Sequence, residues 1–285
     1  MDVKQYTTIQ EQLKKLEYRN CFIENTARAT EILESINYYR LTAYFLPFKK
    51  SDDTYIEGTT LEKVYQIYEF DRKLRHLLFE IIEEIEIMLR RQLSNLHAER
   101  YGALGYQNSD NFSAKHNHQL FLDHIQRNIE NNKTQPCVKH HFNKYNGNFP
   151  IWVILELSTM GELSYFFSDM HMKDRKALSR NLFHTVPKNI NSWLLCLTNL
   201  RNYCAHYNRL YYTIFPAQPA IPEDFPHTLK KRIFDYILVL KFLYPNKAKW
   251  NLFVARLQAL LEEYREVIQF SHIWISGKLE KSNLP

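Results

Sequence analysis

The sequence predicts an all-α protein, and three observations carry that prediction. Leu61, Val64, Tyr65, Tyr68, Leu74, Leu77, Leu78, Ile81, Ile82, Ile85, Met88 and Leu89 recur at helical spacing and run on toward Leu96. The same stretch holds neither Pro nor Gly before Gly102, so nothing interrupts its amide ladder. Strand-like alternation is hard to find anywhere in the chain.

Taken in order, the elements begin with short helices at about 8–18 and 26–36. The long helix is expected to start at Thr59-Thr60, where Thr59 and Glu62 have capping-box spacing. Its other face, with Glu80, Glu83, Glu84, Arg72, Arg75, Arg90 and Arg91, reads as solvated with a few partner contacts. Gly102 to Asn117 is polar and turn-rich, and helices are expected again at about 118–131, 151–168 and 172–183. A motif-bearing helix is predicted from about Asn189 to Tyr212. Pro216, Pro219, Pro222 and Pro226 forbid a continuous helix over Phe215 to Pro226, and two helices at about 228–244 and 248–270 follow. Ser276 to Pro285 reads as a frayed tail. The expected division is an N-terminal helical extension over 1–57 packed on the main domain, a helical core over 58–215, and a C-terminal helical pair with its tail over 216–285.

Composition bounds the function. The chain has 285 residues, 45% of them apolar, enough to bury a proper core. A formal charge of +6, from 37 Lys and Arg against 31 Asp and Glu, favours a polyanionic partner without demanding one. No apolar stretch approaches the roughly 20 residues of a membrane span, and Met1 to Lys15 has no signal-peptide core, so a cytoplasmic location away from membranes is expected. Cys21, Cys137, Cys196 and Cys204 are far apart and form no CxxC pair, and a reduced, mostly buried state is expected for them. With six glycines the chain has no GxxxxGK[ST] loop and no GxGxxG turn, which leaves nucleotide-driven chemistry of those kinds unsupported, and no cofactor is called for.

The chemistry gathers in Leu200-Arg201-Asn202-Tyr203-Cys204-Ala205-His206-Tyr207-Asn208-Arg209. On a helix, Trp193, Leu197, Leu200, Cys204, Tyr207 and Tyr211 form one apolar stripe. Asn199, Asn202, His206 and Arg209 line the opposite face, while Arg201 stands about 140° away from His206. RNA cleavage by the neighbouring 2′-hydroxyl needs a proton taken, a proton given and charge stabilised on the phosphate. An imidazole serves both transfers near neutral pH, and a guanidinium grips phosphate oxygens bidentately. His206, Arg201 and Asn202 are thus the candidate catalytic residues, with Asn202 as orienting group. Asn199, Tyr203 and Arg209 are candidate RNA contacts, although Tyr207 and Tyr211 are assigned to core packing ahead of stacking. No carboxylate cluster near the motif would hold a metal.

These residues resemble the abortive-infection proteins of the AbiD and AbiF type, within the broader group of HEPN ribonucleases. The likeness runs through Asn37-Tyr38-Tyr39-Arg40-Leu41, Ala43-Tyr44, Pro47-Phe48, Gly58-Thr59 and Tyr68-Glu69-Phe70-Asp71-Arg72-Lys73-Leu74-Arg75. It continues in Ile85-Glu86 with Leu89-Arg90, Pro150-Ile151-Trp152 with Glu156, Gly161-Glu162-Leu163-Ser164 and the Arg201 to Leu210 run. Roughly residues 22 to 215 are covered, and the Arg-polar-x-x-x-His signature is met by Arg201, Asn202 and His206. The resemblance implies a HEPN-type helical bundle and a metal-independent endoribonuclease. It further implies a homodimer with a composite active site, a role in phage defence by growth arrest, and for some members control by a small antitoxin RNA.

Two other classes stay open: a non-catalytic helical module that binds RNA or protein and keeps the motif for dimer contacts, and a toxin modified by nucleotide transfer at a Tyr near the motif. His116 with His118 and His140 with His141 invite a metal reading, but their spacing lacks the Cys or Glu partners of known zinc sites, so no metal is expected. Cys204, on the apolar stripe, is a poor candidate nucleophile.

Overall fold

The computed structural model describes residue 3 and residues 5–221 and 228–273. Among these residues the architecture is all-α, and extended pairings are limited to isolated bridges such as Phe22 with Thr60 and Phe112 with Met170. The expected tail Ser276 to Pro285 and the prolines Pro222 and Pro226 lie outside the described residues.

Helix α1 (Ile9–Tyr18) opens on a capping box in which Thr8 and Glu11 satisfy each other's end of the first turn. Helix α2 (Thr26–Ser35) is capped by the Asn25 side chain. A short α3 (Tyr38–Thr42) passes into a tight 3-10 segment, Ala43–Phe48, which drives Tyr44, Phe45 and Phe48 into the core. These aromatics set the N-terminal segment against the long helix that follows.

That helix, α4 (Leu61–Tyr101), has 41 residues and is therefore about 60 Å long. Its cap is Thr60, one residue later than the expected Thr59: the Thr60 hydroxyl accepts from Lys63 N–H at 3.0 Å. Thr59 is buried instead, its hydroxyl donating to the Ile56 carbonyl at 2.7 Å. The predicted stripe is buried, from Leu61 through Val64, Leu74, Leu78, Ile82 and Ile85 to Leu89 and Leu93. The opposite face is not uniformly solvated. Arg75 is buried beside Asp71, and Arg90 turns inward to the Leu155 and Glu156 carbonyls. Gly102, at φ +80, ends the helix in a conformation that costs a side-chain-bearing residue more than glycine.

The polar stretch after α4 contains two 3-10 turns before α5 (His118–Asn131) and α6 (Pro136–Tyr145). Helix α6 is not predicted from the sequence, although Pro136 stands in its first turn, where a missing N–H costs nothing. The single helix expected over 151–168 is two, α7 (Ile151–Leu157) and α8 (Met160–Asp169). Thr159 forms a capping box with Glu162, and that capped start breaks the run. Helix α9 (Met172–Phe183) lies where the periodicity places it.

After the motif-bearing α10 (Pro187–Ala205) come α11 (Ile233–Leu243), α12 (Lys247–Glu263) and the short α13 (Phe270–Ile273). Helix α11 starts later than the apolar pattern suggests, with Asp235 accepting from the Lys230 and Arg232 amides to cap it. Helix α4 is the axis of the molecule: α7, α8, α10, α11 and α12 all pack on it. Ion pairs knit α12 along the exposed side of α4, including Glu80 with Arg256 at 2.9 Å and Glu84 with Lys249 at 2.9 Å. Such exposed pairs contribute little to stability singly, so the buried apolar seam carries the packing.

Candidate functional site

Helix α10 buries Trp193, Leu194, Leu197, Leu200 and Cys204 against α4, α8 and α11. The Trp193 indole N–H donates to the Ala220 carbonyl at 2.6 Å, which anchors the outer flank of the helix. The helix stops at Ala205, well short of the expected Tyr212. Tyr207 takes the left-handed conformation at φ +56, Asn208 N–H bonds the Tyr203 carbonyl at 2.8 Å, and Tyr207 N–H bonds the Cys204 carbonyl at 3.2 Å. This pair of bonds is a Schellman stop with a tyrosine where glycine is usual.

The stop rearranges both predicted faces. His206 is the C-cap, exposed, its backbone N–H held by the Asn202 carbonyl at 3.0 Å. Tyr207 leaves the apolar stripe and is 65% exposed. Tyr211 remains buried, reached through a turn rather than along a helix. Arg209 folds back so that its guanidinium donates to the Ala43 carbonyl and lies 6.0 Å over the Tyr212 ring. Asn199 is half-buried with its amide at the Tyr236 hydroxyl, and the Tyr203 ring packs 5.0 Å from Phe215. Of the six residues singled out in the sequence, Asn202 and His206 present free polar side chains at one end of α10. Neither makes a side-chain hydrogen bond to any described residue.

Arg201 points toward α4. Its Nε lies 3.6 Å from Glu86, whose other oxygen is taken by Arg90. Glu86 is only 14% exposed at its side chain, so one carboxylate steadies two guanidiniums. Because Arg90 already neutralises Glu86, Arg201 faces it through one nitrogen at ion-pair distance: that Nε is buried without a hydrogen bond, and the two Nη groups make none to any described residue. The motif therefore offers a tethered cation with a free fork, an amide and an unpartnered imidazole.

The turn behind His206 is locked from beneath. Asp71, on α4, is fully buried and accepts from Tyr44 Oη at 2.7 Å, from the Leu210 and Tyr211 amides at 3.1 and 2.8 Å, and from Arg75. Arg75 also donates to the Asn208 carbonyl at 3.3 Å, and Arg40 donates to the Tyr207 carbonyl at 2.6 Å. Burial raises the Asp71 carboxyl above its ordinary value, against the pull of the Arg75 charge and of the Tyr44, Leu210 and Tyr211 donors. Burial also pushes the Cys204 thiol up to about 12, which leaves it unreactive beside the motif.

The segments that resemble one family, around 37–48, 68–75, 85–90, 150–156 and 201–210, thus meet in space at the C-terminal end of α10 and the stretch of α4 beneath it. The sequence profile of the family described as Abi-like protein matches residues 31–212. The chain belongs to the Abi-like family. No curated protein and no solved structure matches it.

In this Abi-like chain the residues that the sequence does not single out are Asp71, Arg75 and Glu86, whereas Arg40, which the sequence offers as a phosphate contact or a bridge between helices, bridges the N-terminal segment to the Tyr207 carbonyl. Beyond the pairs Asp71–Arg75 and Glu86–Arg90, the partners of the first three lie far off in the chain, where spacing within one helix gives no sign of them. The available signal was chemical: an acid and a base four apart on a helix, Asp71 with Arg75 and Glu86 with Arg90, each with apolar neighbours on the same turn. A cavity of about 410 Å³ between α5 and α8, lined by Phe121, His124, Ile125, Asn128 and Glu162, contains none of the motif residues. His116, by contrast, spends its nitrogens on Asp169 at 2.8 Å and His118 at 3.2 Å. No helix among the described residues is long and apolar enough to cross a membrane.

Proposed function

We propose that this Abi-like chain is a metal-independent endoribonuclease of the HEPN kind, acting in abortive infection, with Arg201, Asn202 and His206 as its catalytic set. The observation that carries the reading is the unpartnered, exposed imidazole of His206 at the end of α10, on the same end as the exposed Asn202 amide and five residues beyond the Glu86-facing guanidinium of Arg201. Exposed and without a protein partner among the described residues, the imidazole can exchange its water contacts for a substrate hydroxyl or leaving oxygen.

In this scheme His206 removes the 2′-hydroxyl proton of the nucleotide before the scissile bond. The oxygen attacks the adjacent phosphorus, the 5′-oxygen leaves with a proton returned by an imidazolium, and a 2′,3′-cyclic phosphate remains. Arg201 supports the negative charge on the phosphate through its free Nη fork, and Asn202 orients the imidazole or the attacking hydroxyl. Arg201 and His206 are five residues apart, about 140° round the helix and about 7.5 Å along it, and Glu86 draws Arg201 toward α4. One chain therefore presents the cation and the imidazole on different sides, and a twofold pair of chains supplies one from each partner. Control by a small antitoxin RNA belongs to the same reading.

The pairing of Arg201 with Glu86 is the one observation that favours the rival, a non-catalytic RNA- or protein-binding module in which the motif is structural. Purified protein incubated with end-labelled total RNA in EDTA separates the two, with His206→Ala and Arg201→Ala alongside. Fragments ending in 2′,3′-cyclic phosphate from the unaltered chain and neither variant are expected. Intact RNA in every lane, after any co-purifying RNA has been removed, sinks the enzyme reading in favour of the module.

A further inference from the structure

The Schellman stop of α10 uses a tyrosine where glycine is usual, and a tyrosine at positive φ costs on the order of 1 kcal/mol or more. The strain is held by Arg40 on the Tyr207 carbonyl and Arg75 on the Asn208 carbonyl. Its product is a ring 65% exposed, one residue from His206 and in contact with no other aromatic ring among the described residues. Beside it opens a groove of about 810 Å³, between the Asn37–Leu46 segment and the turn at Tyr207–Arg209.

We infer that this groove is the bed for a single-stranded RNA segment flanking the scissile phosphate, with Tyr207 and Tyr39 as stacking faces and Arg40 as a phosphate contact. The inference rests on the ribonuclease reading for the position of the scissile phosphate beside His206, and it adds where the strand runs from there.

The lining chemistry selects the ligand. Tyr39, 82% exposed, shares the groove with Tyr207, so two aromatic faces stand open in one depression. No carboxylate among the described residues lines it. Arg40 is exposed, spends one Nη on the Tyr207 carbonyl and has no acidic partner among the described residues, which leaves most of its five N–H donors for a phosphate. The Asn208 side chain makes no hydrogen bond to a described residue and can read a base edge. Across Tyr207 lies a second depression lined by Arg72, Arg75, His76, Glu80 and Glu83, where Arg72 and Arg75 are already held by Glu69 and Asp71, Glu80 is paired with Arg256, and the Glu83 carboxylate opposes a phosphate chain. The strand is therefore directed to the Arg40 side. Stacking on an open ring needs an unpaired base, which makes the ligand single-stranded.

The test uses the full chain and a fluorescein-labelled 2′-O-methyl oligonucleotide, which cannot undergo 2′-hydroxyl attack, so binding is read by anisotropy independently of cleavage. Tyr39→Ala and Tyr207→Ala are each expected to weaken binding roughly 5- to 150-fold, while Tyr39→Phe keeps it. Arg40→Ala is expected to lower the slope of log affinity against log salt by about 0.7. Arg72→Ala should leave affinity unchanged. A 4-thiouridine version of the strand, irradiated in the complex, should attach to peptides holding Tyr39 or Tyr207. Tyr39 is so exposed that its variants fold whether or not RNA is the ligand, which keeps a loss of binding interpretable. Indifference of binding to both tyrosines, adducts elsewhere, or no binding at millimolar protein overturns the inference. RNA cleavage with binding indifferent to Tyr39 and Tyr207 leaves the ribonuclease standing without this groove; tyrosine-dependent binding without any cleavage removes the ribonuclease and keeps the groove as an RNA site.

Discussion

Asp71 and Tyr211, 140 positions apart in the chain, meet at 2.8 Å, the buried carboxylate accepting the Tyr211 amide N–H. The same carboxylate takes the Leu210 amide, the Tyr44 hydroxyl and the Arg75 guanidinium, so one side chain on α4 fastens the turn after His206 to the N-terminal segment. The position of His206 is thus set from below as well as by the helix that carries it.

Removing that carboxylate leaves a buried guanidinium and two amide donors unsatisfied. Asp71→Ala is expected to destabilise the fold by about 3–5 kcal/mol, measured by urea denaturation. Adding Arg75→Met to it is expected to recover a substantial part of the loss, since the uncompensated charge goes with it. A cost for Asp71→Ala below about 1 kcal/mol would mean that water reaches the carboxylate and that the turn is fastened by other contacts.

Glu86 acts on the motif through Arg201. Glu86→Gln removes the charge that holds Arg201 toward α4 and leaves Arg90 and Arg201 as neighbouring cations. In steady-state RNA cleavage, kcat is expected to fall by about 10- to 100-fold with KM much less affected, as for a misplaced catalytic group. A change confined to KM would assign Arg201 to substrate binding alone.

The apolar stripe of α4 is legible in the sequence because a 3.6-residue period needs only the sequence itself. Its cap slips by one residue because Thr59 and Thr60 are chemically alike, and only tertiary burial of Thr59 decides between them. The break at Thr159 is encoded by its box with Glu162, a local signal that the longer apolar run outweighs. The end of α10 is not legible, since nothing in Ala205-His206-Tyr207 marks a stop and the left-handed residue is imposed by Arg40 and Arg75 from elsewhere. For the same reason Arg201, Asn202 and His206 can be singled out from spacing and family likeness, whereas Glu86 and Asp71 show their roles only when the chain is folded.

The strain at Tyr207 has its own test. Tyr207→Gly frees the φ of +56 from its steric cost, and the fold is expected to gain about 1 kcal/mol in urea denaturation relative to Tyr207→Ala. Binding of single-stranded RNA is expected to fall in both variants, since both lose the ring. Equal stability of the glycine and alanine variants would show that the tyrosine backbone is unstrained.

His97 makes stability depend on pH. The ring is 0% exposed, packed among Tyr101, Phe112 and Phe166, with no hydrogen-bond partner for either nitrogen among the described residues. Burial lowers its pKa from 6.5 to about 4, the Gly105 backbone pulling weakly the other way. In the unfolded chain the imidazole takes a proton near its ordinary value, and in the fold it does so only near 4, so between these values the unfolded state binds more protons. Stability is therefore full above pH 6.5 and falls as the pH drops toward 4, at about 1.4 kcal/mol per pH unit from this residue, or about 2 kcal/mol between pH 6.5 and 5. His272, lowered to about 4 by burial and by the Arg232 charge, adds a loss of the same sign. His97→Leu keeps the apolar packing and cannot titrate, so its urea midpoint should fall less than that of the unaltered chain between pH 6.5 and 5 while the His272 share persists. Identical slopes in the two proteins would mean that the His97 ring is protonated inside the fold, with a water or a shifted Gly105 carbonyl as its partner.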